Sequence, residues 1–231
     1  MIKAVSIILL FSLLLPFSAS ANNKKYVALT FDDGPHPKYT AEILKILYEN
    51  DVKATFFVVG ENAERYPELL RAEYDLGHEI GNHTYSHIKI TEKNREKISA
   101  EIKEADGIIY DITGVTPTLF RPPEGRHGKQ IDALISGMNK TEVFWDIDTR
   151  DWAHTDKKKI IENIKTNIKN GSIILFHDYI TPPSPTPDVL REIIPYLKAQ
   201  GYEFVTVSEL YHINPTYHLF SSDKMMRENK S

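Results

Sequence analysis

The chain contains no cysteine. That absence excludes a disulfide framework, a thiolate nucleophile, thiolate-bound zinc and iron–sulfur clusters, so any metal chemistry has to rely on histidine and carboxylate. Nine histidines keep that route open. Positive charge is not in excess either: 28 Lys+Arg stand against 32 Asp+Glu in 231 residues, which removes the electrostatic footprint of a general nucleic-acid binder. A partner has to be recognised locally. With 41% hydrophobic and 26% charged residues the chain lies near ordinary globular values, which excludes a disordered or collagen-like protein. Its length suits one large domain or two small ones with a sizeable core. No tandem repeat, long linker or second domain is visible.

Long hydrophobic runs are scarce. One run, Ala4 to Phe17, follows Lys3, is broken at Pro16 and leads into Ala19-Ser20-Ala21. Its roughly 14 residues fall short of the about 20 that span a bilayer, and the order of charged, apolar and small residues is that of a secretory signal peptide. Residues 1–21 are therefore expected to be a leader cleaved after Ala21. The mature chain would start at Asn22, be exported to the wall or the medium, and have no stable membrane insertion. Since Lys3 is the only charge removed, its balance becomes 27 basic against 32 acidic residues, or −5.

The remainder alternates between two kinds of segment. Short apolar runs at Tyr26–Phe31, Ala54–Val59, Glu79–Asn82, Thr118–Arg121, Glu142–Asp146, Ser172–His177 and Glu203–Val207 have the length and composition of strands, most of them buried. Helical spacing fills Thr40–Glu49, Pro67–Leu76, Thr91–Ile112, Lys129–Met138, Asp156–Lys169 and Pro187–Gln200. Gly77, Gly114, Gly171 and Gly201 follow helical segments, where a left-handed cap favours glycine. Repeated strand–helix units predict a parallel sheet covered by helices, either open and doubly wound or closed into a barrel. The polar residues after about Tyr211 read as a C-terminal extension, 212–231, beyond a domain covering 22–211.

Polar clusters follow five of these strands: Asp32-Asp33-Gly34, His83 to His87, Arg121-Pro122-Pro123, Asp148 to Trp152, and His177-Asp178. In parallel strand–helix architectures the carboxyl ends of the strands form the face that carries chemistry, so the pattern points to an enzyme. His83 and His87, four apart, would share one face of a helical turn and could converge on one ion. One of the adjacent acids Asp32 and Asp33 would complete a two-histidine, one-carboxylate set suited to zinc, iron, cobalt, nickel or manganese. The other acid would then be available as a general base.

Thr30-Phe31-Asp32-Asp33-Gly34-Pro35, His83-Thr84-Tyr85-Ser86-His87, Arg121-Pro122-Pro123-Glu124-Gly125, Asp148-Thr149-Arg150-Asp151-Trp152 and Leu175-Phe176-His177 resemble, in order and spacing, the five motifs of the polysaccharide deacetylase family. This is the NodB-homology or carbohydrate esterase family 4 group, and the resemblance runs from about Lys25 to Tyr211. It implies an α/β fold, a distorted (β/α) barrel of about seven parallel strands in a single domain. It further implies Asp33, His83 and His87 as metal ligands, with zinc first and cobalt, nickel, manganese or iron as alternatives. Asp32 takes the position of the catalytic base, His177 that of the acid, Asp151 that of its orienting carboxylate, and Arg121 that of the residue pairing with the base. Trp152 and Leu175 fall where the acetyl methyl is received, and Pro123 and Glu124 at further substrate-facing positions. Glu124 departs from the pattern, which usually has an aromatic residue there.

The expected activity is metal-dependent removal of N-acetyl groups from amino sugars of a wall or extracellular polysaccharide. Peptidoglycan leads, chitin oligomers follow, and the protein is expected to act as a monomer. An O-acetyl esterase acting on xylan and a silent glycan-binding protein are the alternatives. Intact Asp32 and His177 argue against the last, because binding alone needs no acid and base.

Overall fold

The computed structural model describes residues 24–214. The expected leader, residues 1–21, and all of the extension beyond Asn214 lie outside the described residues. Among the described residues no helix is long and apolar enough to cross a membrane.

The elements run β1 Lys25–Asp32, α1 Tyr39–Glu49, β2 Thr55–Val58, α2 Gly60–Arg65, α3 Pro67–Asp75, β3 Glu79–Asn82, α4 Arg95–Thr113, β4 Leu119–Phe120 and α5 Lys129–Gly137. They continue as β5 Thr141–Glu142, β6 Ile147–Asp148, α6 Lys157–Asn167, β7 Ser172–His177, α7 Thr186–Ala199, β8 Tyr202–Phe204 and α8 Val207–Ile213. Seven strands pair in the order β5-β4-β3-β2-β1-β7-β6, every pair parallel, and β8 adds to the start of β1. The sheet curls into a half-barrel with its helices outside. Its edge strands, β5 and β6, are joined by residues 143–146 alone. The sequence predicts one strand over Glu142–Asp146; instead the chain passes from one edge of the sheet to the other within that stretch.

Side-chain alternation along the central strands builds two layers from one sheet. On β1, Val27, Leu29 and Phe31 face the helices and join the large outer core with Phe56, Val58, Ile174 and Phe176. Ala28 turns the other way and joins the inner cluster with Phe57, Leu119, Val143, Ile173, Val207 and Leu210. Continuing by twos, Thr30 and Asp32 follow Ala28 on the inner face, and Leu175 and His177 follow Ile173. The β1–β7 register sets Asp32 beside His177. Two acid–base candidates thus reach the same rim because each ends an alternating strand.

Two helices escape the sequence pattern. α2 has no side-chain cap; its first N–H groups donate to the carbonyls of Thr84 and Tyr85 in the loop after β3, so tertiary contacts start it. At α8 the chain leaves the expected strand Glu203–Val207 because Thr206 and Glu209 form a reciprocal capping box. Gly114, at φ 80°, closes α4 in the left-handed conformation as its position predicts.

One core position is mismatched. Glu73, on α3, is fully buried and neither carboxylate oxygen is hydrogen-bonded. Burial, with the charge of Asp178 adding to it, pushes its pKa well above the ordinary glutamate value. A carboxyl with a raised folded pKa keeps its proton when folded and releases it when unfolded, so folding is opposed more strongly as pH rises above its unfolded value of about 4.3. Glu73→Leu is expected to stabilise the protein by roughly 1–3 kcal/mol at pH 7, with a smaller gain at pH 4, measured by urea unfolding. A variant no more stable than the parent at pH 7 contradicts this account.

Candidate active site

The polar ends of β1, β3, β6 and β7 meet around one cavity of about 440 Å³, lined by Asp32, Asp33, His83, His87, Glu124, Trp145, Asp148, Trp152, Leu175 and His177. The backbone is strained at this rim: Asp33, Thr84, His87, Glu124 and Arg150 all have positive φ without being glycine. Such conformations persist only where surrounding contacts enforce them.

Arg121, wholly buried after β4, organises the floor. Its Nη1 donates to Asp32 Oδ1 at 2.7 Å and to Thr30 Oγ1 at 2.8 Å, while Nε and Nη2 donate to the carbonyls of Val143 and Phe144, each at 3.2 Å. The guanidinium also lies 4.1 Å over the Phe57 ring. Asp32 therefore has one oxygen held and the other, Oδ2, turned to within 3.8 Å of His83 Nε2.

His83 and His87 come together without the helical turn that their spacing predicts. The segment after β3 is an irregular loop, and positive φ at Thr84 and His87 folds the two rings to 5.1 Å. Glu101 on α4 anchors this loop by accepting from Ser86 N and Ser86 Oγ, and Asn82 Oδ1 accepts from Thr84 N. His83 Nδ1 faces the Arg121 carbonyl at 2.7 Å, which assigns the proton to Nδ1 and leaves the Nε2 lone pair free. Asp33 Oδ1 lies 3.3 Å from His83 Nε2 and 3.4 Å from His87 Nε2, is buried, and has no hydrogen-bond partner. One ligating atom from each of Asp33, His83 and His87 lies within 4.8 Å of the others, so these three could hold a metal ion.

The electrostatics separate the groups. Burial resists the Asp33 charge, but the adjacent His83, with smaller contributions from His177 and His87, brings its pKa down to about 2. His87 is pushed below the ordinary histidine value, chiefly by burial. Across the cavity, burial opposes a charge on His177, yet the Asp151 carboxylate, helped by Asp33 and Asp32, raises its pKa to about 9. Asp151 is fully buried and saturated: Oδ1 faces His177 Nδ1 at 2.8 Å and accepts from Trp152 N, and Oδ2 accepts from His177 N and Thr186 Oγ1.

The sequence profile described as "Polysaccharide deacetylase" matches residues 19–143. The chain belongs to the polysaccharide deacetylase family. Over 191 residues this deacetylase is 39% identical to the peptidoglycan-N-acetylglucosamine deacetylase of Bacillus cereus, a match spanning 82% of this chain and 89% of the relative. It is also 39% identical to the peptidoglycan-N-acetylmuramic acid deacetylase PdaC of Bacillus subtilis, over 83% of this chain but 40% of that longer protein. Among solved structures, a family 4 acetyl xylan esterase from Clostridium thermocellum, in complex with a cobalt ion, superposes with a TM-score of 0.75 at 36% identity, covering 82% of this chain and 91% of the esterase.

Of the residues singled out from sequence, the deacetylase brings Asp32, Asp33, His83, His87, Glu124, Trp152, Leu175 and His177 to one cavity wall. Arg121 and Asp151 stand directly behind it. Pro123 does not line the cavity; it is buried at the start of the turn Pro123–Gly125. His36 is also a loop residue rather than a cavity residue, its Nδ1 accepting from the N–H groups of Lys38 and Tyr39. Trp145 was invisible as a site residue, although the chain has only two tryptophans and both line the cavity. The supports Thr30, Asn82, Glu101 and Thr186 carry no local signal.

Breaking a buried ion pair strands its remaining charge, so Arg121→Met is expected to cost about 3–5 kcal/mol in denaturant unfolding. A loss below about 1 kcal/mol would mean that Asp32 does not depend on this partner.

Proposed function

We propose that the protein is an exported hydrolase that removes N-acetyl groups from amino sugars of peptidoglycan, with chitin oligomers as secondary substrates. The observation that carries this reading is the convergence of the Asp33–His83–His87 trio, the Arg121-held Asp32 and the Asp151-held His177 on one cavity. Relatives named as peptidoglycan deacetylases favour the wall polymer. The pattern of residues 1–21 favours export through a cleaved leader.

Asp33, His83 and His87 suit a divalent cation, zinc first: an unpartnered buried carboxylate oxygen faces two imidazole nitrogens, one of them fixed in tautomer by its other ring nitrogen. Such an ion supplies Lewis acidity toward the acetyl carbonyl and makes water a usable nucleophile near neutral pH. Asp32 accepts the proton of the attacking water on Oδ2, because Oδ1 is occupied by Arg121. The water oxygen adds to the carbonyl carbon. When the C–N bond breaks, His177 delivers a proton from Nε2 to the departing nitrogen, while Asp151 holds Nδ1 and stabilises the imidazolium. The products are acetate and a free amino sugar. Trp145, Trp152 and Leu175 form the apolar wall against which the acetyl methyl packs and from which water is excluded. Glu124 substitutes a carboxylate for an aromatic surface at the mouth, where hydrogen bonding to sugar hydroxyls replaces stacking.

Acetate release from defined peptidoglycan fragments is expected to stop on chelation and return with added zinc or cobalt. Asp32→Asn and His177→Ala should each lower kcat by roughly 10²–10⁴-fold. Undiminished turnover in Asp32→Asn would remove the base from the mechanism. Release from acetylated xylan but from no N-acetylated glycan would support the O-acetyl esterase instead.

His177 must be protonated to act, so activity falls as pH rises through its pKa of about 9. Asp151→Asn removes the charge that favours the imidazolium. The alkaline limb of kcat/KM is therefore expected to move down by a unit or more, and an unmoved limb would assign it to another group.

A further inference from the structure

Directly after His177 the chain places a second carboxylate that the reaction scheme above does not use. Successive residues of an extended strand point to opposite faces, so where His177 enters the cavity Asp178 turns beneath it. Asp178 is 1% exposed. Its N–H donates to the Asp32 carbonyl at 3.2 Å, Oδ1 accepts from Gly34 N at 2.9 Å, and Oδ2 accepts from Thr40 Oγ1. Thr40 Oγ1 in turn accepts from His36 N at 2.7 Å. One side chain thus grips the turn after β1 at both its beginning and its end. From the opposite side the turn is held by β2 and α2: Asp33 N donates to the Phe57 carbonyl, Val59 N to the Gly34 carbonyl, and Asn62 Nδ2 to the Asp33 carbonyl at 2.7 Å.

The fit is close enough to dictate a residue. A Cβ built on Gly34 would lie 2.0 Å from Asp178 Oδ2, so only glycine lets the turn rest on this carboxylate. Neighbouring Asp33 is forced to φ 77°, the conformation from which its carboxylate reaches His83 and His87.

The geometry points to Asp178 as a positioning residue for the reaction: it fixes the Asp33 turn against the strand that bears His177, so that the ligand set and the proton donor keep one spacing. This inference rests on the reading of Asp33 as a metal ligand and extends it to the residue that orients that ligand through the backbone. Orienting groups behind metal ligands are worth roughly 10–100-fold in affinity or activity, and a backbone link of this kind belongs in that range.

The test compares the parent protein with Asp178→Ala, Asp178→Asn and Thr40→Val. Cobalt affinity is read from visible absorption and by competition with a chromophoric chelator. Turnover of an N-acetylated oligosaccharide is measured at saturating metal, together with the unfolding midpoint of the metal-free protein. Asp178→Ala is expected to weaken cobalt binding by roughly 10–100-fold and to lower kcat more than it alters KM, with excess metal failing to restore kcat. Asp178→Asn should recover most of both, because its carbonyl accepts from Gly34 N and its amide donates to Thr40. Should Asp178→Ala not fold, Thr40→Val, which removes one of the two grips, is expected to show a several-fold loss of metal affinity and kcat. Parent-like affinity and kcat alongside a lowered unfolding midpoint, in Asp178→Ala or in Thr40→Val if that is the variant that folds, would reduce Asp178 to a structural role and overturn the proposal. Cobalt affinity unchanged by Asp33→Ala would instead overturn the ligand reading beneath it.

Discussion

The pairing of Arg121 with Asp32 is the contact on which the remainder of the site leans. An acid ending a buried strand has no water to solvate it, and a guanidinium without exposure needs an anion to balance its charge. Each justifies the burial of the other. The same arginine also reaches the carbonyls of Val143 and Phe144, in the short stretch joining the two edges of the curled sheet, and its own carbonyl selects the tautomer of His83. Asp32, His83 and the closure of the fold are thereby referred to a single residue. Its planar fork and the aromatic ring beneath it explain why lysine could not take the position.

Around that pair, environment divides chemically similar groups into different roles. Asp33 and Asp151 are both carboxylates beside histidines, yet Asp33 keeps an oxygen unsatisfied while Asp151 has both oxygens fully engaged. An unsatisfied buried oxygen invites a cation; a saturated one can only orient its neighbour. The histidines divide likewise, burial lowering the pKa of His87 and the Asp151 carboxylate raising that of His177.

Much of this was readable in the chain before any coordinates. The alternation in Tyr26–Phe31 and Ser172–His177 gave two central strands, and the polar residues at their ends gave a common rim. What escaped was whatever depends on partners distant in sequence. Two histidines four apart suggest a helix, but the loop that joins them is set by Glu101 on a later helix. The segment Glu142–Asp146 has the composition of a strand, yet its course is determined by sheet closure. Trp145 lies within it and gave no periodic signal. α8 follows directly on the strand pattern Glu203–Val207, and its local signal is the capping box of Thr206 and Glu209.

The far end of the half-barrel has a consequence of its own. Val207 and Leu210 of α8 lie with Phe57, Leu119, Val143 and Ile173 in an apolar inner plug, so the interior is a cup instead of a tunnel. Whatever enters the cavity would leave by the rim on which Asp32 and His177 stand. For the polysaccharide substrate proposed above, a cup of this kind would admit one side group of a chain lying across its opening. On that reading a free chain end would not have to be threaded.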